Sequence, residues 1–219
     1  MGKTIPNKQI GRAVFNTVDF TGKWLASFGR PELRGSWIVW GGSGSGKTTF
    51  MLQLAKYLTN FSKVCYDSIE QGLTLSFRKA WERVNMLEAG NNFALVEKEN
   101  TSKEIWNRLS KRHSPNIIII DSVNYMADFN KAEYLKLIKN FPNKLFVFVA
   151  HEKNREPMGM VAKFIRYNSD IKIRVEGYKA FITTRFEDSE KNEGSEPYTI
   201  WEEGAREYWC EPHRPEPGL

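Results

Sequence analysis

Short, fully apolar runs alternate with amphipathic stretches along most of the chain. Each run is rich in β-branched and aromatic residues, which predicts a strand that is buried on both faces. The spacing of Phe50, Leu54 and Leu58 instead places apolar side chains along one side of a helix. Such alternation is typical of a parallel sheet covered by helices on both faces. We predict strands over residues 37–40, 63–67, 92–96, 116–121 and 145–150, and helices over residues 47–58, 75–86, 102–112 and 132–139.

The pattern changes after residue 170. Residues 170–176 alternate strictly between apolar and charged side chains, so we expect one buried and one wet face. Gly177 favours a turn into a strand over residues 178–186, and a last strand is predicted at residues 198–201. The predicted fold class is therefore α/β, with a mainly parallel central sheet, helices on both faces and a C-terminal antiparallel ribbon.

Three regions are predicted along the 219 residues. Residues 1–35 are polar and basic, with an apolar patch that suggests a short docked helix or arm. Residues 36–208 hold the α/β core. Residues 209–219, rich in Pro, Glu and Gly, are predicted to be a disordered tail.

Charge is distributed unevenly between the two parts of the chain. Residues 1–186 carry 29 Lys and Arg against 16 Asp and Glu, whereas residues 187–219 carry 3 against 10. A basic body of this kind suits a protein that meets a polyanion such as nucleic acid. A solvated basic surface with a solubilising acidic end is the alternative. No apolar run reaches the length of a membrane helix or of a signal peptide, and the two cysteines lack metal-ligand spacing, so we expect no membrane partner and a cytoplasmic location.

A glycine-rich loop lies between the first predicted strand and the first long helix. Its pattern is that of a phosphate-binding P-loop, in which backbone N–H groups and the positive end of a helix meet a phosphate. We predict that Lys47 reaches the β- and γ-phosphates of ATP and that the Thr48 hydroxyl binds Mg²⁺. A glycine- and serine-rich turn without a ligand is the alternative. The predicted nucleotide-binding residues are Gly41, Gly42, Ser43, Gly44, Ser45, Gly46, Lys47, Thr48 and Thr49.

Asp121 ends the apolar run of residues 117–120. A carboxylate at the tip of a strand beside the phosphate loop can hold Mg²⁺, directly or through water, as a Walker B residue does. We therefore predict Asp121 and Thr48 as the metal-binding residues. An Asp that only caps its strand is the alternative.

Residues 66–71 and the following helix with the sequence RKAWERV resemble the second strand and helix of RecA-type ATPases. The likeness is to the RadA/Sms branch and the related KaiC-like proteins. It implies a RecA-like ATPase core, with Glu70 as the general base that polarises the attacking water. A solvent-exposed loop Glu is the alternative.

The same resemblance implies two further roles. His151, at the tip of the strand over residues 145–150, matches the residue that senses the γ-phosphate, so Glu70, Lys47 and His151 form the predicted catalytic set. Arg185 matches a cation that reaches a neighbouring subunit's nucleotide, which makes a homo-oligomer possible. Thr183, Thr184 and Glu187 depart from the family's pattern around it. A strand-capping His and a plain surface Arg are the alternatives.

The segment after His151 is predicted to be a mobile loop with four cations, Lys153, Arg155, Lys163 and Arg166. The matching loop of RecA-type proteins contacts single-stranded DNA, and cations there neutralise phosphates without reading sequence. We therefore expect Mg²⁺-dependent ATP hydrolysis coupled to single-stranded DNA in recombination, repair or replication. The rivals are a KaiC-like regulatory ATPase that acts on a protein, a small-molecule kinase, and a nucleotide-binding module without turnover.

Overall fold

The computed structural model describes residues 4–97, 101–188, 190–191 and 193–210. In the described chain a short helix α1 (Asn7–Ile10) and a helix α2 (Gly22–Phe28) precede the sheet. The strands are β1 (Gly35–Gly41), β2 (Val64–Ser68), β3 (Phe93–Glu97), β4 (Ile117–Asp121), β5 (Leu145–Lys153), β6 (Glu156–Pro157), β7 (Ile171–Glu176), β8 (Lys179–Thr184) and β9 (Tyr198–Thr199). The remaining helices are α3 (Lys47–Leu58), α4 (Leu75–Arg83), α5 (Ser102–Leu109), α6 (Lys131–Asn140), α7 (Met160–Asn168) and α8 (Glu202–Cys210), with 3-10 turns at Met86–Asn92 and Val123–Tyr125.

The strands form one sheet in the order β3-β2-β4-β5-β1-β7-β8-β9. The first six strands in this order are parallel, and β8 and β9 add antiparallel pairs. β6 pairs only with the end of β5, as a small hairpin. The predicted parallel sheet with a C-terminal antiparallel ribbon is confirmed.

Alternate residues of the central strands feed two separate cores. Trp37 and Val39 of β1 point to the face covered by α2, α3 and α4, whereas Ile38 and Trp40 point to the face covered by α5, α6 and α7. A strand covered on both faces has little room for polar side chains, which is why the sequences of these strands are mostly apolar.

The N-terminal segment is more closely joined to the body than its polar composition indicated. Phe20 and Phe28 lie in the main core, and the Trp24 ring stacks on those of Tyr57 and Tyr198. By contrast, the side chain of Val14 is 91% exposed. The predicted boundary at residue 35 stays a prediction, but part of the segment before it packs as core.

Two other predicted segments differ from the structure. The end of the chain was predicted as a tail from residue 209, but α8 continues through Cys210 and residues 211–219 lie outside the described residues. The mobile loop predicted after His151 is instead the β5–β6 hairpin followed by α7. None of the described helices is long and apolar enough to cross a membrane.

Candidate phosphate-binding site

The glycine loop joins β1 to α3 at the carboxyl edge of the sheet. Gly44 and Gly46 have φ values of +73° and +98°, which favour glycine. Gly41 approaches the neighbouring strand so closely that a Cβ would lie 2.3 Å from the Val175 carbonyl oxygen. The loop then enters α3, where the Phe50 N–H donates to the Gly46 carbonyl at 2.9 Å. These constraints fit a loop whose backbone wraps a phosphate at the positive end of a helix.

Lys47 is the first residue of α3, and its side chain folds back over the loop. Its Nζ donates to the carbonyl oxygens of Gly41 at 2.9 Å and Gly42 at 3.1 Å. Burial lowers the pKa of the Lys47 ammonium, while the charges of Asp121 and Glu70 act in the opposite direction. A phosphate group entering the loop would offer this partly desolvated cation a full negative charge in place of neutral carbonyls.

Asp121 ends β4 at the same edge of the sheet. In the strand register it lies beside Ser68 on one side and Val149 on the other. The Tyr66 hydroxyl donates to its Oδ2. Burial nevertheless raises the pKa of Asp121, and the Tyr66 hydrogen bond and the Lys47 charge only partly oppose this. A divalent cation would stabilise this desolvated carboxylate, so the donor set of Asp121 and Thr48 fits Mg²⁺.

Glu70 and His151 approach each other across the same cleft. The backbone N–H of Glu70 donates to the Asp121 carbonyl at 3.1 Å, which fixes the segment after β2 against the end of β4. Glu70 Oε2 lies 3.2 Å from His151 Nε2. The backbone N–H of His151 donates to Asn124 Oδ1 at 2.9 Å. These backbone hydrogen bonds therefore fix Glu70 and His151 relative to the end of β4 and the turn that follows it.

These groups share one cavity of about 360 Å³. Most of the predicted nucleotide-binding residues line it, together with Glu70, Asp121 and His151. Gly41 and Ser45 do not line it, because Gly41 packs on Val175 and the Ser45 Oγ is buried. The predicted residues on the wall are Gly42, Ser43, Gly44, Gly46, Lys47, Thr48, Thr49, Glu70, Asp121 and His151.

The structure adds residues that sequence reasoning missed. Arg83 at the end of α4 donates from Nη1 to Thr49 Oγ1 at 3.3 Å, and Tyr178 in the β7–β8 turn lies against Gly46. Gln71 also lines the cavity. The segment containing Arg83 carried the family resemblance, but nothing in the sequence around Tyr178 signals a phosphate loop.

A second cavity of about 670 Å³ adjoins the first at the end away from Asp121. The two cavities share Thr49, Arg83 and Tyr178. Aromatic and aliphatic groups form much of the second wall, which is lined by Thr49, Gln53, Arg83, Val84, Tyr178, Ile200 and Trp201. The polar cavity suits the phosphates of a nucleotide, and the more apolar cavity suits its nucleoside.

The four cations expected to line a DNA-binding loop fall into two pairs. Arg166 pairs with Glu156 at 2.9 Å and lies over the Trp40 ring, while Arg155 approaches Glu176 at 3.9 Å. Lys153 and Lys163 are exposed, and neither makes an ion pair with any other described residue. Of these four cations, therefore, only the two lysines lack an acidic partner among the described residues.

Arg185 follows the end of β8 that is remote from the phosphate loop. Its Nη1 donates to Asp170 Oδ1 at 3.1 Å, and most of its side chain is exposed. The predicted role toward a neighbouring subunit's nucleotide stays a prediction.

Comparison with solved structures places this architecture in a known fold. The flagellar accessory protein FlaH from Methanocaldococcus jannaschii is similar over 74% of this chain and 80% of its own, with a TM-score of 0.55 and 18% identity. A KaiC-like protein from Pyrococcus horikoshii OT3 is 15% identical over 71% and 79% of the two chains, with a TM-score of 0.48. The RadB recombinase is 19% identical over 69% and 81%, with a TM-score of 0.47. No protein-family model matches the sequence, and no curated protein matches it either.

The sheet order, the two covered faces and the likeness to FlaH together define a RecA-like α/β fold. The RecA-like fold predicted from the sequence is thus confirmed.

Proposed function

We propose that this protein binds ATP with Mg²⁺ and hydrolyses it. The observation that carries the proposal is the convergence of Lys47, Thr48, Glu70 and Asp121 on one cavity. Lys47 and Thr48 begin the helix that follows β1, Glu70 follows β2 and Asp121 ends β4. Each residue type suits one task in phosphoryl transfer.

The roles follow from the chemistry of each group. The Thr48 hydroxyl and the Asp121 carboxylate would hold Mg²⁺, which neutralises charge on the β- and γ-phosphates. Lys47 binds the same phosphates once its ammonium leaves the loop carbonyls. Glu70 orients a water molecule and withdraws its proton, because a carboxylate fixed by its backbone can act as a general base. His151 lies close enough to Glu70 to respond when a γ-phosphate enters.

The two-part cleft supports hydrolysis over transfer to a small acceptor. The roomy second cavity lies at the Thr49 and Arg83 end, where it would accommodate the nucleoside. An acceptor molecule would instead have to lie beside Glu70 and His151, at the opposite end. The space there forms part of the phosphate cavity itself. We therefore assign the attacking group as water.

For the partner we propose single-stranded DNA, bound on the surface beside the γ-phosphate end. Lys153 and Lys163 provide free positive charge there, and Tyr125 and Tyr167 are exposed aromatic rings on which bases can stack. Tyr125 also contacts the His151 ring edge to face, with centroids 5.7 Å apart. A strand stacked on Tyr125 would thus touch a residue that contacts the catalytic cleft.

The test combines ATPase activity with a salt series. Fluorescence anisotropy of a labelled oligonucleotide is measured for the parent, for Lys153→Ala/Lys163→Ala, and for a control pair, Lys111→Ala/Lys139→Ala. If the first pair contacts phosphates, the slope of log affinity against log salt should fall by about 1.4, taking roughly 0.7 per contact on a single strand. The control pair should keep the parent slope. DNA should also stimulate the parent ATPase but not the Lys153/Lys163 variant.

An ATPase that acts on a protein partner is the second candidate. Exposed leucines favour it, since Leu73 and Leu75 lie just after Glu70 and Leu87 lies beyond α4. Leucine side chains do not stack on bases, whereas a protein surface would cover them. If all three proteins have equal salt slopes and DNA does not change turnover, a protein partner is favoured over single-stranded DNA.

A further inference from the structure

We infer that Trp209 in the C-terminal helix α8 is a positioning residue for the phosphate loop. This inference rests on the proposed nucleotide binding and adds a residue that does not touch the cleft itself. It acts through the two-residue turn of Gly177 and Tyr178, which joins β7 to β8.

The turn contacts the phosphate loop directly. The Tyr178 N–H donates to the Ser45 carbonyl at 3.2 Å. The Tyr178 ring also packs on Gly46, where an added Cβ would lie 3.1 Å from its Cδ1. A shift of the turn therefore moves the N–H that donates to the phosphate loop and one wall of the cleft together.

The conformation of the turn needs external support. Gly177 and Tyr178 have φ values of +52° and +58°. Glycine adopts such values readily, but tyrosine seldom does, so contacts elsewhere must hold Tyr178 in place.

The C-terminal segment supplies that support at both carbonyl groups of the turn. Trp209 Nε1 donates to the Gly177 carbonyl at 3.0 Å, and the Ile200 N–H donates to the Tyr178 carbonyl at 2.8 Å. The Tyr208 ring covers Gly177 so closely that a Cβ there would lie 2.1 Å away. The chain of contacts thus runs from α8 through the turn to Ser45 and Gly46.

Trp209 is the member of this chain that can be changed with least disturbance. Trp209 is 41% exposed, and its ring packs edge to face on Phe181, with centroids 5.6 Å apart. Trp209→Phe retains an aromatic ring at this place but removes the N–H that holds Gly177. Trp106→Phe is the matched control, because Trp106 lies on α5 and packs on Phe141 rather than on the β7–β8 turn.

The experiment measures nucleotide affinity, steady-state kinetics and amide hydrogen exchange for the parent and both variants. In Trp209→Phe, we expect the Kd and KM for ATP to rise about fivefold to tenfold, the usual effect of losing one hydrogen bond. The kcat at saturating ATP should stay within about twofold, since Glu70 and Asp121 lie at the other end of the cleft. The Tyr178 amide should exchange faster in Trp209→Phe and at the parent rate in Trp106→Phe.

The exchange measurement needs no nucleotide, so it tests the positioning role even if the parent fails to bind ATP. An unchanged Tyr178 exchange rate and an unchanged KM would overturn the inference. It would also be overturned if Trp209→Phe lowered the melting temperature and kcat while leaving the Kd for ATP at the parent value. That result would mean that Trp209 contributes to stability but does not position the phosphate loop.

Discussion

Replacing Asp121 by Asn should stabilise the metal-free protein and greatly reduce its stabilisation by Mg²⁺ and ATP. Burial raises the pKa of the Asp121 carboxyl, although Tyr66, Lys47 and His151 all favour its charged form. The folded environment therefore disfavours the carboxylate relative to water. An Asn side chain removes the charge, and its Oδ1 still accepts the hydrogen bond from Tyr66.

The expected gain raises the melting temperature, and for a chain of this length each kcal/mol is worth about 2–4 °C. With Mg²⁺ and ATP, the parent should melt at a higher temperature than the variant. At ligand concentrations of about 100 times Kd, the parent gains roughly 2.7 kcal/mol from binding. The variant lacks the metal-binding charge and should gain much less. Asp121 should thus destabilise the free protein but stabilise the complex with Mg²⁺ and ATP.

Thermal unfolding followed by circular dichroism checks this, once in EDTA and once with Mg²⁺ and a slowly hydrolysed ATP analogue. Asp19→Asn serves as the control, since Asp19 is exposed and its ion pair with Arg30 should contribute little. The reasoning is refuted if Asp121→Asn melts below the parent in EDTA. It is equally refuted if the variant keeps the parent's full shift with Mg²⁺.

The remaining predictions concern three other side chains. Lys47→Ala should stay folded but lose ATP binding in a fluorescence titration, and unchanged hydrolysis by the folded variant would contradict the proposed site. Glu70→Gln should bind ATP at the parent affinity yet turn over roughly 100-fold more slowly in single-turnover assays, and a parent rate would mean that another residue is the base. Burial raises the pKa of Asp170, so Asp170→Asn should be more stable than the parent at pH 7. This advantage should shrink in urea titrations as the pH falls toward the ordinary carboxyl pKa of 3.8, where the parent is protonated as well; a constant difference would exclude the titration of Asp170 as its cause.

Local pattern was enough to predict the parallel core. The apolar runs of the strands and the spacing of Phe50, Leu54 and Leu58 depend on neighbours in the sequence, and α3 covers the predicted residues 47–58. The phosphate loop was equally visible because its residues are contiguous. Asp121 was predicted because it ends an apolar run, and Glu70 because the segment after β2 resembles that of RecA-type ATPases. The two lie close together because strand ends of a parallel sheet meet at one edge.

What the sequence hid depends on contacts between distant segments. Tyr178 reaches Gly46 only because β7 pairs with β1, and no local motif announces that pairing. The charges of Arg155 and Arg166 looked free because their acidic partners, Glu176 and Glu156, are recognisable as partners only in the folded chain. The helix α8 was missed because its acidic, polar composition is typical of a solvated chain end, and its contacts with the β7–β8 turn form only in the folded chain.

The two ends of the cleft are connected to different parts of the surface. At the γ-phosphate end, the side chain of Asn124 accepts from the His151 N–H and donates to the Met158 carbonyl at 2.9 Å, which ties the catalytic edge to the segment leading into α7. At the nucleoside end, α8 holds the Tyr178 turn against the loop. Under the proposed function, a partner bound beside α7 would act on groups assigned to the chemical step, whereas a change in α8 would act on groups assigned to nucleotide binding. Changes beside α7 should therefore alter the turnover rate, and changes in α8 should alter the affinity for nucleotide. The two responses should be separate because the two sets of contacts have few residues in common.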